Sequence, residues 1–113
     1  MPRLTVQTNI ADDKITDDLI RQLSAKVAQL LSKPEQYVAV HVQAGQRLSF
    51  GGTHEPAALI ELVSIGLPSD QTATISNALM SLLEDNLHIK ADRMFLKFND
   101  VAGNMMGWNK GTF

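Results

Sequence analysis

The residues with the most distinctive chemistry stand at the head of the chain, Met1-Pro2. While Met1 is attached, the Pro2 nitrogen is an amide. Proline is a small second residue, so removal of Met1 is expected, and the exposed nitrogen is then a secondary amine that no internal proline carries. An α-amino group titrates at about 7.7–8.0, and a nearby cation with limited water lowers that further. A base poised near neutrality can take a proton from carbon beside a carbonyl and return it elsewhere.

Other chemistries find little support. Cysteine is absent, which removes disulfides, thiolate metal sites and cysteine nucleophiles together. His41, His54 and His88 are not spaced as a metal set and lack carboxylates at ligand spacing. His41 reads as a buried-face histidine, His54 as a loop residue and His88 as a helix-end residue. Gly51-Gly52 is too short for a phosphate cradle and reads as a turn. The ten basic residues are scattered and the net charge is −2, so no stripe offers nucleic acid a track. No apolar run approaches the roughly 18 residues of a membrane span, and the stretch from Met1 to Gln7 lacks the apolar run and cleavage site of a secretory signal. A cytoplasmic protein without a cofactor, bound neither to nucleic acid nor to membrane, is the expectation.

The 113 residues, 44% hydrophobic and 19% charged, suit one soluble domain with a real core, taken over 1–113. Leu4 to Ile10 alternates as a half-buried strand, with Leu4, Val6, Thr8 and Ile10 on one side. From about Asp13 to Ser32 the period becomes helical through Ile15, Leu19, Leu23, Val27, Leu30 and Leu31. Asp12 and Asp13 favour the start of that helix, Lys33 suits its end, and Pro34 makes continuation difficult. Tyr37 to Gln43 reads as a second strand.

The pattern then restarts. Ala58 to Ile65 is a nearly continuous apolar strand closed by Gly66 and Pro68. A helix capped by Ser69 or Asp70 carries Ile75, Leu79, Leu82, Leu83 and Leu87. Met94 to Asn99 is the last main strand. Lys33-Pro34 laid over Lys90-Ala91 gives an internal repeat at an offset of 57, with halves at about 2–52 and 58–109. The expected fold is α+β in two layers: two pseudo-twofold strand–helix–strand repeats forming a four-stranded mixed sheet with both helices on one face. The opposite face would carry Thr5, Gln7, Asn9, Tyr37, Ala39, His41, Phe95 and Lys97. Small, polar and aromatic groups mixed on a sheet face suggest burial against sister subunits. Leu48 to Phe50 and Met106 to Trp108 are short segments that could pair across such boundaries.

Several motifs in order resemble the macrophage migration inhibitory factor and D-dopachrome tautomerase family over essentially the whole chain. They are the Met-Pro start, Lys33-Pro34 followed by Tyr37-Val38-Ala39-Val40-His41-Val42, Phe50-Gly51-Gly52 with Glu55-Pro56, Ser64-Ile65-Gly66, Asp92-Arg93, and Gly107-Trp108-Asn109 before Thr112-Phe113. The resemblance implies a homotrimer with active sites between subunits, Pro2 at a pocket mouth, and keto–enol tautomerisation of phenylpyruvate-like substrates.

It also implies residue roles, each with a plain structural counterpart. Lys33 would hold a substrate carboxylate and disfavour a protonated Pro2 amine; otherwise it complements a helix dipole. Ser64-Ile65 would contact substrate through the backbone, the Ile65 amide steadying an enolate oxygen, or would simply end a strand. Tyr37, Met106, Trp108 and Phe113 would wall an aryl substrate or pack an interface. Arg3 lines the entrance or is solvated. Met105-Met106 is first of all a flexible packing element.

Two departures stand out. Phe95 and Lys97 replace the tyrosine and asparagine of mammalian relatives, and a phenylalanine cannot donate a proton. Lys97 of a neighbouring subunit, or a water, would have to supply the missing stabilisation; the alternative is a solvated lysine. Ala57-Ala58-Leu59-Ile60 lacks the Cys-x-x-Cys of the mammalian cytokine, which excludes thiol redox chemistry. Gly45 replaces an acidic residue used there in receptor binding, which argues against mimicry of its signalling. The competing function is a non-catalytic binding or cytokine-mimic protein that keeps the pocket.

Overall fold

The computed structural model describes residues 1–113. Strand β1 (Arg3–Thr8) buries Leu4, Val6 and Thr8 and exposes Arg3 and Gln7, as alternation requires. It stops at Thr8 rather than Ile10. The Thr8 hydroxyl donates to the Ala57 carbonyl at 2.7 Å and accepts from the Ile10 amide at 3.2 Å, turning the chain there. Asn9 therefore leaves the open sheet face. Its side chain ties down the loop before β3, accepting from the Ala57 amide at 3.0 Å and donating to the carbonyls of His54 and Glu55.

Helix α1 (Asp17–Leu31) begins later than the acidic pair suggested. Asp12 and Asp13 form a separate 3-10 turn, and Thr16 is the cap, its hydroxyl accepting from the Leu19 amide at 3.1 Å. Leu19, Leu23, Val27 and Leu31 face the sheet at four-residue spacing. The helix ends where Ser32 turns left-handed at φ 52°, and the Lys33 amide bonds back to the Ala28 carbonyl at 3.0 Å. Pro34 then opens a 3-10 turn through Glu35–Tyr37, so Tyr37 precedes strand β2 (Ala39–Gln43) instead of belonging to it.

Strand β3 (Ala58–Ile65) runs antiparallel to β1. Helix α2 (Thr72–Leu87) buries Ile75, Leu79, Leu83 and Leu87, with Leu82 at the edge of the core. Neither Ser69 nor Asp70 caps it: the Gln71 amide closes a turn onto the Pro68 carbonyl, and Gln71 takes the cap position without a side-chain bond. Strand β4 (Met94–Val101) continues two residues past Asn99, because Asp100 and Val101 pair with Ser64 and Ile65.

The sheet order is β2-β1-β3-β4, with parallel outer pairs about an antiparallel centre. Both helices pack on one face, over a core of Leu4, Val6 and Leu62 from the sheet and the leucines, Ile75 and Val27 of the helices. The matching core positions are Leu4 and Ile60, Val6 and Leu62, Leu19 and Ile75, Leu23 and Leu79, Val27 and Leu83, Leu31 and Leu87, each 56 positions apart. The left-handed helix ends Ser32 and His88 obey the same spacing. An offset of 57 would exchange the two faces of every strand, so Lys33 corresponds to Ile89 and not to Lys90.

Candidate functional site

A cleft of about 290 Å³ opens at the end of the sheet where β1 starts. Pro2 forms its floor, fully buried, with its carbonyl accepting the Ala39 amide at 3.0 Å and so tying the chain head to β2. The 3-10 turn after Pro34 brings Tyr37 to one wall. The other wall is the C-terminal segment. There strand β5 (Gly107–Trp108) pairs with β6 (Gly111–Thr112) around Asn109 and Lys110, both at positive φ as a tight hairpin turn demands.

Three aromatic rings line the cleft as a unit. Trp108 and Phe113 stack with centroids 5.3 Å apart at 17°, and Tyr37 meets both edge-on, at 5.3 Å and 6.0 Å. The Phe113 amide donates to the Met106 carbonyl at 3.2 Å, which holds the chain end against the wall. Gly103 lies directly beneath: a Cβ there would come within 3.0 Å of the Phe113 carbonyl carbon. Gln36 and Val38 also line the cleft. Their only signal in the sequence is adjacency to Tyr37.

The electrostatics favour a neutral amine. The α-amino group at the head of the chain is held below its ordinary 8.0, first by burial and then by the charge of Lys33. That group belongs to Met1 here. With Met1 gone it would move one residue inward, to the buried Pro2.

Five expected site residues, Pro2, Tyr37, Met106, Trp108 and Phe113, thus share one cleft, and Lys33 is near enough to act on the head amine. Ser64 and Ile65 end β3 beside it. Arg3 pairs with Val63, so one residue further along the same register Pro2 stands across from Ser64. Phe95 and Lys97 lie elsewhere, on the sheet face away from the helices, together with Thr5, Gln7, His41 and Glu61 around an open concavity of about 460 Å³. Phe95 is 67% exposed and its ring tilts against Phe50 at 4.8 Å. His41 is exposed on this face, not buried. Phe50 bridges locally to Thr53, and Trp108 is paired within its own hairpin, so in the single chain both segments expected to reach a neighbour find partners at home.

Arg93 had no role in the sequence beyond its place in a motif. Its guanidinium donates to the carbonyls of Pro56 (2.9 Å), Phe50 (3.0 Å) and Glu55 (3.0 Å) and lies over the Phe50 ring. It fastens the loop between β2 and β3.

A four-stranded mixed sheet under two helices, with a cleft built on the chain head, defines a protein of the tautomerase fold. The model of the family described as macrophage migration inhibitory factor (MIF) matches residues 1–113, and the chain belongs to that family. It is 39% identical to the macrophage migration inhibitory factor homolog of Trichuris trichiura over 114 residues, covering 100% of both chains. It is equally 39% identical to macrophage migration inhibitory factor of Mus musculus, covering 100% of this chain and 99% of that one. Among solved structures, macrophage migration inhibitory factor from Trichinella spiralis superposes with a TM-score of 0.95 at 39% identity, covering 98% of this chain and 99% of that one.

Proposed function

We propose that this chain is a keto–enol tautomerase of arylpyruvates such as phenylpyruvate or hydroxyphenylpyruvate, with the amine of Pro2, freed by loss of Met1, as its general base. The carrying observation is the buried Pro2 at an aromatic cleft, under a head amine whose pKa is held below 8.0 by burial and then by Lys33. The Pro2 nitrogen takes the proton from carbon beside the carbonyl, the electron pair becomes the C=C bond, and the carbonyl oxygen becomes an enolate. The same proton is returned to that oxygen, so the reaction is an isomerisation that needs no redox partner or cofactor.

Lys33 holds the substrate carboxylate, the Ile65 amide faces the developing oxyanion, and Tyr37, Met106, Trp108 and Phe113 enclose the aryl ring. The open sheet face with its exposed Phe95 and the unpaired edges of β2 and β4 support closure into a homotrimer, in which Phe95 and Lys97 of one subunit complete the cleft of the next. A cytoplasmic protein fits this reading; no helix is long and apolar enough to cross a membrane.

The second reading is a binding protein that retains the pocket without turnover, favoured by the lack of a phenol at Phe95. Ketonisation of an arylpyruvate enol by the wild type, by Pro2→Gly, and by a chain with Ala inserted between Met1 and Pro2 separates the two. Activity in the wild type alone supports catalysis; equal rates in all three discard it.

A further inference from the structure

We infer that the Ser64 hydroxyl is a positioning group for the Pro2 amine: once Met1 is gone it accepts one N–H of that amine, leaving the lone pair turned to the cleft. The inference rests on the reading of Pro2 as the base, and concerns a residue whose side chain that mechanism does not use.

Ser64 is 1% exposed, and its Oγ is the one buried side-chain polar atom without a hydrogen-bond partner. Such an atom calls for an explanation. The repeat supplies one. Ser64 lies 56 positions after Thr8, and these two are the only buried polar residues of the chain. Thr8 stands across from Ala58, the counterpart of Pro2. Its hydroxyl is satisfied twice, by the carbonyl of Ala57, the group attached to the Ala58 nitrogen, and by the amide of Ile10.

Both partners fail Ser64. Gly66, the counterpart of Ile10, gives its amide to the Asp100 carboxylate at 2.9 Å, and Leu67 adds a second bond to the same oxygen at 3.1 Å. Met1, the counterpart of Ala57, leaves its carbonyl unused by Ser64. By register Ser64 stands across from Pro2 as Thr8 stands across from Ala58, and Thr8 meets the group borne by the Ala58 nitrogen. A tertiary amide nitrogen offers no hydrogen. A free secondary amine offers one when neutral and two when protonated, so processing creates the partner that the fold withholds.

The charged and titratable groups on the surrounding elements include Arg3, Lys33, Glu35, Tyr37, Lys97 and Asp100, the last engaged by Gly66 and Leu67. None of them meets the hydroxyl. A bond from an ammonium is stronger than one from a neutral amine, so Ser64 favours the protonated form and opposes Lys33, keeping the base strong enough to take a proton from carbon.

The test is NMR titration of Pro2 in [15N]proline-labelled protein whose loss of Met1 has been verified by mass, alongside the ketonisation assay. Ser64→Ala should lower the amine midpoint by about half a pKa unit to one and kcat by roughly threefold to tenfold, with KM little changed. Ser64→Thr, which keeps the hydroxyl on a strand, should return the midpoint toward that of the wild type. An unchanged midpoint in Ser64→Ala, or a Ser64→Thr protein that titrates like the alanine variant, overturns the inference. The titration does not depend on turnover. An inactive wild type in which Ser64→Ala still moves the midpoint would sink the tautomerase reading and leave the positioning role standing; an active one with no shift does the reverse.

Discussion

The Tyr37 ring stands edge-on to Trp108, with centroids 5.3 Å apart and planes at 84°. One partner comes from the turn after Pro34 and the other from the C-terminal hairpin, so the contact joins two segments that the sheet does not connect. A pair of this kind contributes about 0.5–1.5 kcal/mol beyond its buried area. Trp108→Ala should raise KM for an aryl substrate by roughly fivefold to tenfold with a smaller effect on kcat. A KM equal to that of the wild type would remove Trp108 from the binding wall.

The pH dependence has a definite sign. Burial first and Lys33 second hold the head amine below 8.0, and a base must be deprotonated to act. With the amine moved to Pro2, kcat/KM should rise with pH through a midpoint below 8.0. Lys33→Ala should move that midpoint up without restoring the ordinary value, since burial persists. Folding stability should change in the same direction: the unfolded chain binds the extra proton between the two midpoints, so stability increases with pH across that window. A pH–rate profile of both proteins checks the order.

Lys97 lies on the sheet face remote from its own cleft. If a neighbouring subunit uses it, Lys97→Ala should lower kcat by about tenfold while sedimentation still reports a trimer. An unchanged rate in an intact trimer would end that role.

Gly103 sits so close beneath the Phe113 backbone that a methyl group, 3.0 Å from the nearest atom, would require that backbone to shift. Gly103→Ala should displace Phe113 from Trp108, change the near-ultraviolet circular dichroism, and raise KM, at a cost in stability of about 1–3 kcal/mol. An unaltered spectrum would mean that the wall is held by the hairpin alone.

Arg93 fastens the loop between β2 and β3 through three short bonds to carbonyls. Arg93→Ala should cost about 1–3 kcal/mol in urea unfolding and open the segment around 50–56 to proteolysis. Arg93→Lys should recover only part of the loss, because an ammonium cannot match the fork of a guanidinium.

The sheet, both helices and their faces could be read from the period of the apolar residues, because burial on one side is imposed locally at each position. The ends could not. Asp12 and Asp13 are as acidic as a helix start should be, yet Thr16 has the hydroxyl at the right place. Tyr37 continues an apolar alternation, yet Pro34 coils the chain into a turn first. The aromatic cleft residues were recognisable through the family resemblance. The meaning of Gly103 and the isolation of the Ser64 hydroxyl depend on contacts between residues far apart in sequence, which no local pattern encodes.

Lys33 owes its position to the way α1 stops, with Ser32 left-handed and the next amide returned to Ala28. Each residue added to a helix rotates the chain beyond it by about 100° and advances it about 1.5 Å. The fifteen residues of α1 therefore act as a gauge: one inserted or deleted between Leu23 and Leu31 would swing the ammonium away from the chain head, even where every leucine found a new seat.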